Sequence, residues 1–372
     1  MLVAPPMEQL LAGLVREAFG DGAQVSEVVP LAGDASTRRY LRLSLSRDDT
    51  QESPALRAAP FGKGGAHLRP VSAVAMLLAD RGIAMSSDEL AVFKEQPREL
   101  PYVNVHRFLE RLGVAIPEIY LDASERGVLL LEDIGDTPLW DAVQHGDASL
   151  WYRRAIDQLL QIQIEGSKAA DQHCIAFQQS FDERLFLWEF EHFLEYGVEK
   201  RLGRPIPAAD VAQLRREFAR IAARLGAAPQ FLNHRDYHSW NLYVQGDRIR
   251  VIDFQDALLA PAPYDLATLL GDRDTPQVVT PALERELLDY YIAGWRERGG
   301  ADIDRQEMEA QYFDCAFQKA LKVVGRFHYL AMVKGKPGYM RYMPATVRRV
   351  LALLPRYPDL AEVLPRYLPD VA

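Results

Sequence analysis

The stretch NHRDYHSWN, from Asn233 to Asn241, concentrates side chains that can bind metals, transfer protons or carry charge. His234 and His238 stand four residues apart, a spacing that on a helix places two imidazoles on one face, as in zinc-protease helices. The flanking segments QFLN and NLYV are strand-like and no glutamate follows His234, which disfavours the zinc interpretation. A charged surface turn and a catalytic loop both remain compatible with this stretch alone.

The segment NLYVQGDRIRVIDF, residues 241–254, predicts a β-hairpin, because apolar alternation resumes after the polar turn QGDR. A hairpin centred on Asp247 would place Asn241 opposite Asp253, with both beside the loop that carries Asp236. Amide and carboxylate oxygens suit Mg²⁺, which takes one or two protein ligands and otherwise binds water and phosphate oxygens. We therefore predict Asn241 and Asp253 as Mg²⁺ ligands.

The spacing H-R-D-x-x-x-x-N, followed by IDF, is the catalytic-loop signature of protein kinases. With VIDFQDA and PYDLATLL, it resembles the aminoglycoside phosphotransferase and choline kinase family. The closer resemblance is to bacterial kinases of cell-wall recycling, which phosphorylate the anomeric hydroxyl of N-acetylmuramate and N-acetylglucosamine. The matching stretches, spread over residues 31–330, are LAGDASTRRYLRL, GVLLLEDIGD, HRDYHSWNL, VIDFQDALLAPAPYDLATLL and ALKVVGRFHYL.

The order of predicted elements divides the chain in two. An amphipathic N-terminal helix, strands, a helix ending at Gly113 and further strands occupy residues 1–133, interrupted by a Pro- and Gly-rich connection over 46–70 that we expect to be poorly ordered. Long amphipathic helices follow at 139–165, 181–200, 208–225, 281–298 and 305–333, with one β-rich patch at 230–254. We predict an α+β fold that is two-lobed and protein-kinase-like. Its small, mainly antiparallel N-lobe, 1–133, binds nucleotide, and a helical C-lobe, 134–372, holds the catalytic loop and acceptor site.

Composition limits the classes of function. The 372 residues are 48% hydrophobic and 26% charged, which is ordinary for a globular protein, and the net charge of -9 argues against a nucleic-acid partner. Two distant cysteines indicate neither a disulfide framework nor a cysteine zinc site, and no apolar run predicts a membrane span. We expect a cytoplasmic protein with a small-molecule substrate. Its oligomeric state is not readable from the sequence.

The resemblance implies roles for the loop and for a nucleotide site. Asp236 is the predicted catalytic residue, which orients the acceptor hydroxyl or takes its proton, while His234 and Arg235 are structural. Asp265 is expected both to cap a helix and to brace the catalytic loop. ATP or GTP is the expected phosphoryl donor, with Mg²⁺, and the predicted nucleotide-binding residues are Gly33, Asp34, Ser36, Thr37 and Arg39 in the first turn and Glu132, Asp133 and Ile134 at the hinge.

The third predicted strand, SAVAMLLAD, departs from the kinase pattern because it lacks the lysine that holds nucleotide phosphates. Arg38, Arg39 or Mg²⁺ could supply the missing positive charge. A catalytically inactive nucleotide-binding module is the alternative that this absence favours and that Asp236, Asn241 and Asp253 oppose.

The acceptor is expected to be an amino sugar, with an aminoglycoside, choline or another small alcohol as alternatives. Carbohydrate sites often combine aromatic faces with carboxylates, and the helix FDERLFLWEFEHFLEY and the catalytic loop offer both. The acidic run of that helix is better explained as a solvated stripe with one or two inward groups. The predicted substrate residues are Asp182, Glu189, His238 and Trp240.

Overall fold

The computed structural model describes residues 5–31, 38–47, 71–78 and 99–370. The chain divides into two compact units, one of Met1–Val103 and Ile116–Gly135 and the other of Asn104–Ala115 and Asp136–Ala372. The sequence-based division at 133/134 counted 104–115 with the first lobe. Most of the predicted connection over 46–70, and the turn at 32–37, lie outside the described residues.

The first unit is built on a five-stranded antiparallel sheet in the order β1-β2-β3-β5-β4. One helix packs on it, because its apolar stripe of Leu11, Leu14 and Val15 is fully buried against the strand residues Leu41 and Leu130. The predicted amphipathic helix and the predicted strands of this region are therefore confirmed. The elements are α1 Pro5–Phe19, β1 Ala23–Leu31, β2 Arg39–Arg47, β3 Ser72–Leu77, β4 Ile119–Ala123 and β5 Val128–Glu132.

Helix α2, Pro101–Arg111, ends as predicted before Gly113, whose φ of 70° is a left-handed conformation that glycine adopts without a Cβ penalty.

The second unit is mainly helical, and the predicted helix over 139–165 is interrupted at Gly146. Its helices are α3 Leu139–His145, α4 Ala148–Leu160, α5 Gly166–Lys168, α6 Glu183–His192, α7 Ala208–Ala227, α8 Tyr264–Gly271, α9 Pro281–Glu297, α10 Arg305–Met332, α11 Met343–Leu353 and α12 Pro358–Ala361. Wider π-helical turns continue α4 over Gln161–Glu165 and α6 over Phe193–Lys200. An antiparallel sheet in the first unit and a mostly helical second unit confirm the predicted α+β class.

The β-rich patch of the second unit consists of two strand pairs, β6 Gln230–Asn233 with β9 Leu258–Pro261 and β7 Leu242–Gln245 with β8 Arg248–Val251. The predicted hairpin is present, but its register was wrong by one residue. Gly246 and Asp247 form a two-residue turn, and Gly246 accepts the left-handed φ of 62° there. Asn241 therefore faces Ile252, whose amide donates to the Asn241 carbonyl at 3.0 Å.

Helices α6 and α10 approach closely where the π-helical turns of α6 begin. Gly325 in α10 lies so near this segment that a Cβ there would stand 2.7 Å from Phe193 Cα and 3.0 Å from the His192 carbonyl oxygen. Both neighbours are backbone atoms, which cannot rotate away. Gly325 thus sets the approach of the two helices.

Replacing Gly325 with alanine is expected to lower the free energy of unfolding. Overpacking against fixed atoms costs about 1–3 kcal/mol, which outweighs the roughly 1 kcal/mol that alanine gains over glycine in helix propensity. Chemical denaturation measures the change. Gly338→Ala is the matched control, since a Cβ there meets nothing within 4 Å; equal stability of the two variants would mean that α6 and α10 can separate without cost.

In the described part of the chain, no helix combines the length and the apolar character that crossing a bilayer requires.

Candidate active site

The loop from His234 to Asn241 connects β6 to β7 and is held from α8. Asp265, which is fully buried, accepts hydrogen bonds from the His234 amide at 2.5 Å and the Arg235 amide at 3.0 Å. Burial raises the Asp265 pKa to about 6, against the opposing effect of His234. The predicted capping role is wrong, because α8 begins at Tyr264 and the carboxylate of Asp265 is engaged by the loop amides. The bracing role is confirmed.

Arg235 has a left-handed backbone, with φ of 82°, which is uncommon for a residue with a side chain. Its guanidinium is 3.7 Å from Asp256, and both side chains are largely buried. The His234 ring pairs through Nε2 with the Ile252 carbonyl at 2.8 Å and lies against the Tyr237 ring. His234 therefore supports the segment that leads to Asp253, which agrees with its predicted structural role.

Asn241 and Asp253 converge despite the shifted register. Asp253 has a left-handed φ of 63°, and its Oδ2 lies 3.4 Å from Asn241 Nδ2, while Gln255 donates to its Oδ1 at 2.8 Å. Asn241 Nδ2 also donates to the Asp236 carbonyl at 2.9 Å, which leaves the amide oxygen Oδ1 for another partner. The amide oxygen of Asn241 and the carboxylate of Asp253, on side chains in contact, are ligand types that fit Mg²⁺, which completes its shell with phosphate and water.

A zinc cage is a poorer fit. In residues 5–31, 38–47, 71–78 and 99–370, no three His, Cys, Asp or Glu side chains cluster so that they could hold a metal ion. Structural zinc sites need four protein ligands and catalytic ones need three. His234, one half of the histidine pair, is already engaged through its Nε2.

Asp236 is partly exposed, at 37% of its side chain, and Lys319 Nζ lies 3.8 Å from its Oδ1. Burial alone would raise the Asp236 pKa, but the positive charges of Arg235, Lys319 and Lys322 outweigh it and hold the pKa well below its usual range. The carboxylate is therefore ionised and only weakly basic. Such a group can accept a hydrogen bond from a hydroxyl and orient it.

The sequence analysis missed two lysines of α10. Lys319 is buried beside Asp236, and Lys322 pairs at 2.5 Å with Glu189 of α6, which also accepts from Gln318 at 2.7 Å. Two lysines three residues apart within an apolar helix were the available signal, because lysine is rarely buried without a partner. The stretch ALKVVGRFHYL contains one of them.

The predicted substrate residues lie in different settings. Asp182 caps α6, accepting from the Leu185 amide at 2.9 Å, and Glu189 is fully buried in its pair with Lys322. His238 donates its amide to the Asp236 carbonyl at 2.9 Å, and burial lowers its pKa. The Trp240 ring lies 6.3 Å from the Trp140 ring. His238 is thus adjacent to Asp236, whereas Glu189 pairs with Lys322, one helical turn from the Lys319 that lies beside Asp236.

In the first unit, Gly33, Asp34, Ser36 and Thr37 lie outside the described residues, and Arg39 is exposed on β2. Glu132 ends β5 and accepts from the Glu118 amide at 3.1 Å, and Ile134 is buried. Asp133 pairs with Arg42 at 2.7 Å. Its pKa lies below the usual value, since Arg42 and other donors outweigh burial. Contact of residues 132–134 with a nucleotide stays a prediction. Because the Asp133 carboxylate is paired with Arg42, such a contact would be made by the backbone.

A protein-kinase-like fold that brings together the aspartate of HRD, the asparagine five residues later and the aspartate of IDF defines a phosphotransferase with a hydroxyl acceptor. The chain belongs to the phosphotransferase enzyme family, whose sequence profile matches residues 27–301.

Relatives and solved structures agree with this membership. The chain is 31% identical over 269 residues to an N-acetylmuramate/N-acetylglucosamine kinase of Pseudomonas putida, covering 71% of this chain and 75% of the relative. It is 27% identical over 360 residues to a kinase of the same name from Pseudomonas aeruginosa, covering 94% and 90%. A choline kinase from Cryptosporidium parvum has the same fold, with a TM-score of 0.59 at 12% identity over 96% of this chain and 98% of that one.

Proposed function

We propose that the protein transfers the γ-phosphoryl group of ATP or GTP to the anomeric hydroxyl of N-acetylmuramate or N-acetylglucosamine, as a cytoplasmic step of cell-wall recycling. The likeness to the kinase from Pseudomonas aeruginosa, which extends over 94% of this chain, carries the proposal. Residues 1–133 are proposed to bind the nucleotide and residues 134–372 the sugar. Gly33, Asp34, Ser36, Thr37 and Arg39, with the backbone of 132–134, are the proposed nucleotide contacts.

Asp236 is the proposed catalytic residue. Its ionised carboxylate accepts the hydrogen bond of the acceptor hydroxyl and aims the oxygen at the phosphorus. As the new oxygen–phosphorus bond forms, the proton passes to the carboxylate, the bond from the γ-phosphorus to the β–γ bridging oxygen breaks, and the nucleoside diphosphate leaves. An anomeric hydroxyl is more acidic than an ordinary alcohol, because the ring oxygen withdraws electron density. The weak basicity of Asp236 therefore suits it. Asn241 and Asp253 would hold Mg²⁺, which when bound neutralises phosphate charge.

The charges near Asp236 favour a neutral or anionic acceptor over a polycationic antibiotic. Lys319 and Lys322 face this end of the site, and the carboxylate of Glu189 is already neutralised by Lys322. The other glutamates of the 181–200 segment are exposed, as a solvated stripe requires, and Glu191 pairs with Arg215 at 2.7 Å. An aminoglycoside site needs uncompensated carboxylates, which this arrangement does not supply.

Product analysis tests the acceptor and the position of transfer. N-acetylglucosamine incubated with enzyme, Mg²⁺ and ATP is expected to give a phosphorylated product without reducing-sugar reactivity, and kanamycin-type antibiotics and choline are expected to give none. The methyl glycoside of N-acetylglucosamine is the control, since its anomeric oxygen is blocked. A phosphorylated product that still reduces would exclude the anomeric position, and turnover of aminoglycosides alone would reject the sugar.

A catalytically inactive nucleotide-binding module is the competing function of another class. The third strand, β3, contains no lysine, which favours this alternative. The convergence of Asp236, Asn241 and Asp253 opposes it, because a module without turnover does not need these three side chains together. Nucleotide binding without turnover of any acceptor would establish the inactive module.

A further inference from the structure

Lys319 is a buried cation, and its polar contacts with other described residues are to the loop from His234 to Asn241. Its ammonium lies 3.8 Å from Asp236 Oδ1 and 3.4 Å from the Arg235 carbonyl oxygen, and it stands over the Tyr264 ring at 5.2 Å from the centroid. Its side chain is 9% exposed. Burying an ammonium costs free energy unless anionic or polar groups compensate its charge. Here the Asp236 carboxylate and the Arg235 carbonyl oxygen provide that compensation.

The peptide that Lys319 contacts is the strained one. Arg235 keeps its left-handed φ of 82° because neighbouring groups hold both sides of the residue. The Asp265 carboxylate accepts from its amide, and Lys319 donates to its carbonyl. Left-handed backbone at a residue with a side chain persists only where the surroundings determine it. The direction in which the next side chain, Asp236, leaves the backbone depends on this conformation.

Helix α10 is anchored so that Lys319 is fixed relative to the loop. Gln318, the residue before Lys319, and Lys322, one turn after it, both bind the buried carboxylate of Glu189 on α6. The close approach of Gly325 to Phe193 sets the distance between the same two helices. The packing of α10 against α6 therefore fixes the position of Lys319 beside Asp236.

Asp236 has two carboxylate oxygens in different surroundings. Oδ1 is the oxygen near Lys319. Within the part of the chain that the structure describes, no donor reaches Oδ2 at hydrogen-bond distance. The partial exposure of the side chain leaves that second oxygen for a hydroxyl from outside.

We propose that Lys319 is a positioning residue for phosphoryl transfer, which holds Asp236 through Oδ1 and the Arg235 carbonyl so that Oδ2 is presented to the acceptor hydroxyl. This inference rests on the proposed function, because it needs Asp236 to address the acceptor. It adds to that function a residue from a helix 84 positions away along the chain. A lysine serving stability alone would have no need to face the catalytic carboxylate.

Substitution of Lys319 tests the proposal by separating turnover from nucleotide binding. Lys319→Met is expected to lower kcat between about 10-fold and about 10²-fold, the range for a catalytic group displaced by about 1 Å, with the KM for nucleotide nearly unchanged. Lys319→Arg should recover most of the loss, because a guanidinium can also bridge the two oxygens. Lys168→Met is the control, since Lys168 forms an exposed pair with Glu165.

Combining Lys319→Met with Asp236→Asn shows whether Lys319 acts through Asp236. Lys319→Met is expected to add little to the loss that Asp236→Asn causes alone, because the lysine acts through that carboxylate. Thermal unfolding and nucleotide calorimetry report whether each variant is folded. Independent, multiplicative losses in the double variant would overturn the proposal. So would wild-type kcat in Lys319→Met, or a loss that follows the unfolded fraction and is not restored by arginine.

The same variants test the positioning role of Lys319 even if amino sugars are not the acceptors, because nucleotide hydrolysis can be measured instead. The slow hydrolysis of nucleotide places water in the position of the acceptor hydroxyl beside Asp236. A wild-type enzyme that leaves amino sugars untouched, but whose hydrolysis falls in Lys319→Met, rejects the proposed function and retains the positioning role. A wild-type protein inert in both assays rejects both.

Discussion

Replacement of Asp236 by asparagine is expected to lower turnover by roughly 10²- to 10⁴-fold, the contribution of a positioned acid–base group. Asparagine keeps the shape of the side chain but removes the charge that orients the hydroxyl and accepts its proton. Nucleotide affinity should stay close to wild type, because Asp236 addresses the acceptor and not the phosphates. Steady-state kinetics with a saturating acceptor, together with nucleotide calorimetry, measure the two effects separately.

Asp247→Asn is the matched control for this substitution. It makes the same chemical change in the exposed turn of the hairpin that follows the catalytic loop, so turnover should be unaffected. Wild-type turnover in Asp236→Asn would remove the assignment of the catalytic loop. Loss of nucleotide affinity in step with turnover would place Asp236 among the phosphate-binding groups instead.

Replacement of Asp253 by alanine is expected to abolish Mg²⁺-dependent nucleotide binding. The carboxylate would be the charged ligand of the ion, and its loss should exceed the roughly 10- to 100-fold that removal of an outer partner costs a metal site. Calorimetry of nucleotide binding with Mg²⁺ and with EDTA measures the effect. The variant is expected to bind with equal, weak affinity in both buffers, whereas wild type binds more tightly with Mg²⁺.

Asp247→Ala serves as the control, since it removes an exposed carboxylate from the same hairpin and should leave the Mg²⁺ dependence intact. If Asp253→Ala retains the Mg²⁺-dependent gain in affinity, the ion is held elsewhere. Gln255→Ala is expected to give an intermediate Mg²⁺-dependent gain in affinity. The side-chain amide of Gln255 donates to Asp253 Oδ1, so the substitution removes this hydrogen bond but keeps the carboxylate.

Convergence of Asn241 and Asp253 was predicted correctly from a hairpin whose register was wrong. The two-residue turn at Gly246 and Asp247 moves Asp253 one position past Asn241. The left-handed φ of 63° at Asp253 then turns the chain so that the two side chains come within 3.4 Å. Residues with a Cβ rarely adopt this left-handed conformation, so the residues IDF do not predict it at Asp253.

Asp265 shows how one residue supports two local interpretations. Its place after APAPY suggested a helix cap, because aspartate is favoured at that position. Helix α8 begins one residue before Asp265, and the Asp265 carboxylate instead accepts hydrogen bonds from two backbone amides of the loop that follows β6. Only the three-dimensional position of the loop distinguishes a cap from a brace.

Strands and helices in alternation, the H-R-D-x-x-x-x-N loop and the hairpin that carries Asn241 and Asp253 could be predicted from the sequence, because they depend on periodicity and on spacings of a few residues. The positions of Lys319 beside Asp236 and of Lys322 beside Glu189 could not be predicted in this way, because they follow from the packing of the folded chain. These partners come from helices far apart along the chain, and their meeting depends on how α6 and α10 pack. A backbone contact at Gly325 governs that packing, and a contact between two distant segments leaves no periodic trace in either of them.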